Sequence, residues 1–240
     1  AGLPGAVVAL RDGEEERPRI HAFGLADTKL RRPMTPDLHM RIGSVSKLIV
    51  AATLLRLHRA GRIDLDRRLA DYLGPGQPAG GLGLRAIAAH RSGLRDALEN
   101  PAFRALLNRD PAAARPLEEV LAAGAALPPR FAPGAGVSYA NINAILPALA
   151  AEQATGVSFP ALAAQVVLGP GGAEGLAFMP EAALPEPFAR GYRHGRRKGR
   201  IEYGRRLFDA THFNPSWSWV AGSHAGAVSA LIALIREIDG

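Results

Sequence analysis

The stretch that decides the fold is Arg41-Ile42-Gly43-Ser44-Val45-Ser46-Lys47, which runs into an apolar segment with helical spacing. Ser44 and Lys47 stand three residues apart where a helix begins. Residues at i and i+3 of a helix share a face, so the Lys47 ammonium can reach the Ser44 hydroxyl. A serine hydroxyl is a poor nucleophile until a neighbouring base takes its proton. A lysine drawn out of water can be that base, because burial disfavours its charged form. The positive end of the helix favours negative charge developing at Ser44. The alternative at this point is structural, with Ser44 or Ser46 acting only as a helix cap.

Composition limits what surrounds this pair. The chain has 240 residues, 48% apolar and 21% charged, enough for a large core and too apolar for disorder. No apolar run approaches the ~20 residues of a membrane span, and the longest, residues 48–57, contains Arg56. Cysteine is absent, which excludes disulfides, thiol catalysis and cysteine-ligated metals. The first residue is Ala1 and no signal peptide is visible, so processing or excision is expected and the compartment stays open. Net charge is +7, and much of it comes from residues 193–206, with Arg193, Arg196, Arg197, Lys198, Arg200, Arg205 and Arg206. Only Tyr192 and Tyr203 interleave with these cations, so the segment reads as a solvated loop or hairpin, and nucleic acid is not expected as a partner. The seven histidines are scattered without a His-x-x-x-His pair, so no metal site is expected. The glycine-rich residues 74–83 lack the Gly-Lys-Ser/Thr ending of a phosphate loop, and no cofactor is expected.

Period-2 apolar patterning predicts two strands of a hairpin over Gly5–Leu10 and residues 20–24. Helical patterning and stop signals predict helices over 44–59, 84–90, 141–155, 158–168 and 227–238. Residues 101–127 are alanine- and leucine-rich and are broken by Pro111 and Pro116. Residues 169–186 read as a Gly/Pro-rich loop, and 214–226, with both tryptophans, as irregular chain. Strands near the N-terminus and helices in the middle predict a mixed α/β or α+β layout.

Tyr139-Ala140-Asn141 follows the turn Phe131-Ala132-Pro133-Gly134 and opens a helix. Tyr139 offers a phenol that can carry a proton when cations lie close. Asn141 offers an amide that both donates and accepts, suited to orienting a lysine or a substrate amide. The structural alternative makes Tyr139 a packing residue and Asn141 a cap.

Ser44-Val45-Ser46-Lys47 and Tyr139-Ala140-Asn141 resemble the Ser-x-x-Lys and Tyr-x-Asn motifs of the penicillin-recognising serine hydrolases. The nearest branch is the class C β-lactamase-like group, with its D-alanyl-D-alanine carboxypeptidases, D-aminopeptidases and family VIII esterases. The resemblance runs along most of the chain. It takes in Pro4-Gly5-Ala6-Val7-Val8-Ala9, Phe23-Gly24-Leu25-Ala26-Asp27, Arg41-Ile42-Gly43 and Gly61-Arg62-Ile63-Asp64-Leu65-Asp66. It continues through His90-Arg91-Ser92-Gly93-Leu94, the Pro133-Gly134 turn, Ala189-Arg190-Gly191-Tyr192 and the segment from Asn214 to Gly222. By that resemblance the fold is β-lactamase/transpeptidase-like, an antiparallel sheet flanked by helices plus an all-helical lobe over about residues 60–170, in one domain spanning 1–240. Ser44 is then the acylated nucleophile, Lys47 its activating base or the group that keeps its proton mobile, and Tyr139 the general base that also serves as acid to the leaving group. Asn141 orients Lys47 and the substrate amide. The Ser44 N–H supplies half of the oxyanion hole.

The group also carries a third motif, Lys/His-Thr/Ser-Gly, on a strand near its C-terminus. The one candidate here is His224-Ala225-Gly226, with His224 facing the substrate. Gly226-Ala227-Val228-Ser229 instead fits the Gly-x-x-Ser entry into a helix. That reading puts the third motif beyond Gly240, so a truncated chain with an incomplete sheet is expected, and a compacted chain using His224 is the alternative. Trp217 and Trp219 can each line a substrate cleft or pack in the core, and Trp219 is the one favoured for the cleft. The function this implies is a serine hydrolase acting through an acyl-enzyme on a small ester, a D-amino-acid peptide or a β-lactam. The alternative is a homologue that binds such ligands without efficient turnover.

Overall fold

Alternating small and apolar residues make Gly5–Leu10 a strand, β1, which pairs antiparallel with β2 (Arg19–Asp27). The two were expected, β2 over a shorter span. Val7 and Ala22 turn one face of this ribbon toward a small core of Ala26, Met34, Leu38 and Ala189. Val8, Leu10 and Phe23 stand exposed on the other face. The short β3 (Arg32–Pro33) closes the order β1-β2-β3, leaving β1 at the edge. The computed structural model describes residues 2–11, 18–170, 172–173, 175–194, 196–197, 200–201 and 207–239.

Strand β4 (Met40–Arg41) leads through a 3-10 turn, Gly43–Val45, into helix α1 (Ser46–Arg59). Val50, Leu54 and Leu57 recur at helical spacing and are buried. Helices α2 (Ala70–Leu73), α3 (Leu84–Ala88), α4 (Pro101–Arg109) and α5 (Leu117–Ala125) follow, then α6 (Ile142–Thr155) and α7 (Phe159–Ala163). Helix α6 is buried nearly all round and packs beside α1, with Ile145, Leu146 and Ala148 against Leu54 and Leu57 in the largest core. Truncating a leucine in such a core costs about 2–5 kcal/mol.

The Gly/Pro-rich stretch holds one short strand, β5 (Ala177–Phe178). Strands β6 (Tyr192–His194) and β9 (Leu207–Asp209) pair, as do β7 (Arg196–Arg197) and β8 (Arg200–Ile201), so the basic segment has the backbone of a hairpin. Its side chains from 195 to 206 lie outside the described residues, and so does any reading of them as a polyanion site. Strand β10 (His224–Gly226), which the sequence left as irregular chain, is the middle of a second antiparallel sheet, β4-β10-β5. Ala225 faces Arg41 and Gly226 faces Met40 across it. A side chain at Gly226 would meet the Gly175 carbonyl at 2.3 Å, so this position needs glycine. Helix α8 (Val228–Asp239) follows directly, as the Gly-x-x-Ser pattern predicted. The sheet thus holds the strand that delivers Ser44 against the strand that follows both tryptophans.

Candidate active site

Ser44 lies in the 3-10 turn ahead of α1, one turn before Lys47, and is exposed. Gly43 takes φ +53, a conformation that glycine adopts without a Cβ penalty, and this sharp entry lifts the serine clear of the helix. Lys47 projects from the first turn of α1 and is half-buried. Its Nζ donates to Ser44 Oγ at 3.2 Å, to Asn141 Oδ1 at 2.7 Å and to the Ala221 carbonyl at 3.0 Å. Three acceptors match the three N–H bonds of an ammonium group. The Tyr139 phenol donates to Ser44 Oγ at 2.7 Å, and Lys47 Nζ sits 4.9 Å from the centre of the Tyr139 ring. Lys47 and Tyr139 therefore meet at the Ser44 hydroxyl, and Asn141 joins them through the Lys47 ammonium.

Two further residues hold this arrangement. The buried Asp96 carboxylate accepts the Asn141 N–H at 2.6 Å through one oxygen and the Leu98 N–H at 2.9 Å through the other. Asp96 and Glu99 form a capping box, so Asp-x-x-Glu at 96–99 was a readable signal for a helical turn. That it also fixes Asn141 was not readable. The loop carrying Asp96 lies against the loop before Tyr139, with the Arg130 N–H donating to the Gly93 carbonyl at 2.8 Å. Gly93 has φ +75, and a side chain there would meet the Phe131 carbonyl at 2.2 Å. The half-buried His90 ring stacks on Tyr139 with centroids 4.7 Å apart. Burial, and secondarily the Lys47 charge, push the His90 imidazole below its usual range.

A cleft of about 580 Å³ opens beside Ser44, Tyr139 and Asn141. Leu98, Phe213 and Trp217 give it an apolar lining. Arg41 stands at its mouth and clamps the loop after β5, donating to the Met179, Glu181 and Ala182 carbonyls at 3.1, 2.7 and 3.0 Å. Glu99, also at the mouth, is paired with Arg95 at 2.8 Å and Arg130 at 2.5 Å. Trp217 takes the place expected for Trp219. The chain kinks at Trp219, where φ is +40 and ψ is −130, and the Trp219 ring packs against the main core with Val220 and Ala221.

His224 also departs from expectation. Its ring is 1% exposed, packs edge-on against Phe178 at 5.5 Å, and has no hydrogen-bond partner on either nitrogen among the described residues. Burial lowers its pKa to about 4, so it is neutral at ordinary pH. The strand pleat turns it inward, and it lines no part of the cleft. Among the described residues the scatter of histidines hides one cluster: His58, Asp64 and Asp66 bring ligand atoms within 4.8 Å of one another. Arg85 already takes both Asp66 oxygens, at 2.7 and 3.0 Å. A larger hollow of about 650 Å³ adjoins His58, Arg62, Arg67 and Gln153 but contains none of the motif residues. No helix among the described residues is long and apolar enough to cross a membrane.

Known proteins share this layout. A D-aminopeptidase from Brucella ovis is 35% identical over 193 residues, which is 76% of this chain and 34% of that protein. The chain therefore spans about a third of the length of the curated relatives it matches. A D-stereospecific amidohydrolase from Streptomyces sp. superposes with a TM-score of 0.84 at 26% identity, covering 98% of this chain and 68% of its own. The D-amino acid amidase of Ochrobactrum anthropi SV3, crystallised with L-phenylalanine amide, gives a TM-score of 0.81 at 24% identity over 98% of this chain and 65% of its own, a likeness of fold. The Beta-lactamase family matches residues 1–238, and the chain belongs to that family.

Proposed function

We propose that this chain, read as one domain over residues 1–240, is a serine hydrolase that works through an acyl-enzyme on Ser44. The observation that carries the reading is the Ser44 hydroxyl held between the Tyr139 phenol at 2.7 Å and the Lys47 ammonium at 3.2 Å. With a single proton held between the Tyr139 and Ser44 oxygens, Ser44 Oγ attacks the substrate carbonyl and that proton stays on the Tyr139 oxygen. The Lys47 charge stabilises negative charge shared between those two oxygens. Tyr139 then returns the proton to the leaving group, and the bond from carbonyl to leaving group breaks. Water repeats the sequence on the ester to free the acid. Asn141 fixes Lys47 and offers its amide to the substrate. The Ser44 N–H is one donor to the oxyanion.

The substrate class best supported is a small amide, peptide or ester of a D-amino acid. The names of the relatives favour it, and so does the apolar lining that Leu98, Phe213 and Trp217 give the cleft beside the serine. The test is a fluorophosphonate probe with mass mapping of the adduct. Modification is expected on Ser44 and is expected to vanish in Ser44→Ala; equal labelling of that variant would sink the assignment.

A second reading is a binder that acylates but turns over poorly. One observation favours it: His224, in the tripeptide that resembles the third motif, is enclosed beside Phe178 and does not face the cleft. Losing one oxyanion donor costs about 10²–10³ in rate. Release of p-nitrophenol from p-nitrophenyl acetate separates the two readings. Steady release supports a hydrolase, and a burst of one equivalent followed by a plateau supports the binder.

A further inference from the structure

His90 grips the chain around Tyr139 at three points. Its carbonyl accepts the Ser138 N–H at 2.9 Å, its ring Nδ1 accepts the Ala140 N–H at 3.4 Å, and its ring face stacks on the phenol between them. To do this it adopts φ +61, a left-handed conformation that a β-carbon disfavours. Such conformations persist where the surroundings impose them, and they gather at functional sites.

A buried hydrogen-bond chain dictates which ring nitrogen carries the proton. The Leu94 N–H can only donate, and it gives to Ser92 Oγ at 3.0 Å. Ser92 then donates its own proton to Asn143 Oδ1 at 2.5 Å. The Asn143 amide nitrogen is thereby turned toward the Ser138 carbonyl at 3.3 Å, which can only accept, and toward His90 Nδ1 at 3.1 Å. Ser92 and Asn143 are fully buried, so neither can exchange partners with water. Both ends of the chain are backbone groups of fixed polarity, and the amide has one consistent orientation. Nδ1 receives two N–H donors and carries no proton.

We propose that His90 is the positioning residue for Tyr139, a neutral imidazole whose Nδ1 accepts from Asn143 and Ala140 and so holds the phenol over Ser44. The proposal rests on the reading of Tyr139 as the proton carrier. It gives the Ser92–Asn143 pair a purpose beyond packing, because the pair fixes the His90 tautomer and His90 fixes the phenol. His90 itself neither contacts Ser44 nor lines the cleft and reaches both only through Tyr139, so its loss is expected in kcat rather than KM.

Two variants separate the acceptor from the ring. His90→Phe keeps a ring against Tyr139 and removes the acceptor. His90→Asn restores an acceptor near Nδ1 and tolerates positive φ. With p-nitrophenyl acetate, kcat is expected to fall about 10- to 100-fold in His90→Phe, the scale of an angstrom-level misplacement, with KM unchanged. His90→Asn is expected to recover most of that loss. Unchanged kcat in His90→Phe, or equal losses in both variants, overturns the proposal. A measurement on the unaltered protein stands apart from how the variants fold: ¹⁵N NMR of the histidines at neutral pH is expected to show His90 protonated at Nε2 alone. Protonation at Nδ1 overturns the proposal. Ser44→Ala, assayed in parallel, separates the two claims. Activity lost there but intact in His90→Phe removes this proposal and keeps the acyl-enzyme. Activity retained in Ser44→Ala removes the acyl-enzyme, and the tautomer still decides the hydrogen-bond chain.

Discussion

Lys47 Nζ donates to Asn141 Oδ1 at 2.7 Å across 94 positions of sequence, joining the first turn of α1 to the residue that precedes α6. The same ammonium reaches the Ala221 carbonyl at the end of the tryptophan turn. One cation thus fastens three segments around the serine, and its removal leaves Asn141 and the Ala221 carbonyl without their donor.

Lys47→Met is expected to slow Ser44 acylation by about 10²–10³, the range for loss of one positioned group that stabilises developing negative charge. Asn141→Ala is expected to cost less, because Lys47 keeps two of its acceptors. The double variant should be no slower than Lys47→Met alone, since residues acting as a unit are not additive. Fluorophosphonate labelling rates for the three variants check this, and additive losses would refute the coupling.

Asp96→Asn keeps the size of the side chain but turns a buried acceptor pair into one acceptor and one donor. The Asn141 or Leu98 N–H then loses its partner, which costs about 1–3 kcal/mol. For a chain of this length each kcal/mol lowers Tm by about 2–4 °C. The expected result is a lower Tm together with a lower kcat, because Asn141 also loosens. A lower Tm with wild-type kcat would limit Asp96 to a structural role.

His224 makes stability depend on pH. Its pKa is about 4 in the fold against 6.5 when free, so between those values the unfolded chain binds the extra proton. Stability is therefore expected to be full above pH 6.5 and to fall as pH drops toward 4. The total loss is on the order of 3 kcal/mol, from the free-energy equivalent of the shift. His224→Leu should flatten that slope in urea titrations at pH 7, 5.5 and 4.5. It should leave stability at pH 7 equal or higher, since both ring nitrogens lack partners among the described residues. A slope unchanged in the variant would count against this account.

Trp217→Ala and Trp219→Ala should separate binding from packing. Trp217 walls the cleft, so its truncation is expected to raise KM for bulky apolar acyl groups more than for acetyl esters. Trp219 packs on the main core, so its truncation is expected to cost about 3 kcal/mol of stability with little selectivity between substrates. Paired KM values and melting curves decide, and a reversed pattern would restore Trp219 to the cleft.

That Ser44, Lys47, Tyr139 and Asn141 belong together was legible from two local motifs in an order that resembles a known family, while spacing alone left a cap or a packing role open for them. Strands β1 and β2 and helices α1, α6 and α8 were legible from period and punctuation. What stayed hidden depends on segments meeting. Asp96 reads as a cap until the loop at 93 packs on the loop at 130–131. The two tryptophans lie two positions apart, and the kink that sends Trp219 inward is a backbone angle no periodicity reports. His224 was assigned by its neighbours in a tripeptide, whereas its direction is set by the pairing of β10 with β4 and β5.

The edge of β1 has a practical consequence. Among the described residues β1 pairs with β2 alone, and Gly5–Leu10 carries no charge, proline or bulge to turn away a second strand. Val8, Leu10 and Phe23 present an apolar face next to that free edge. Mutual repulsion from the net charge of +7 is expected to oppose such pairing. Salt shortens the reach of that repulsion to about 8 Å at physiological strength, while leaving the apolar face as sticky as before. Colloidal lifetime is thus expected to shorten as ionic strength and concentration rise, with dilute low-salt buffer the condition in which the chain should keep longest.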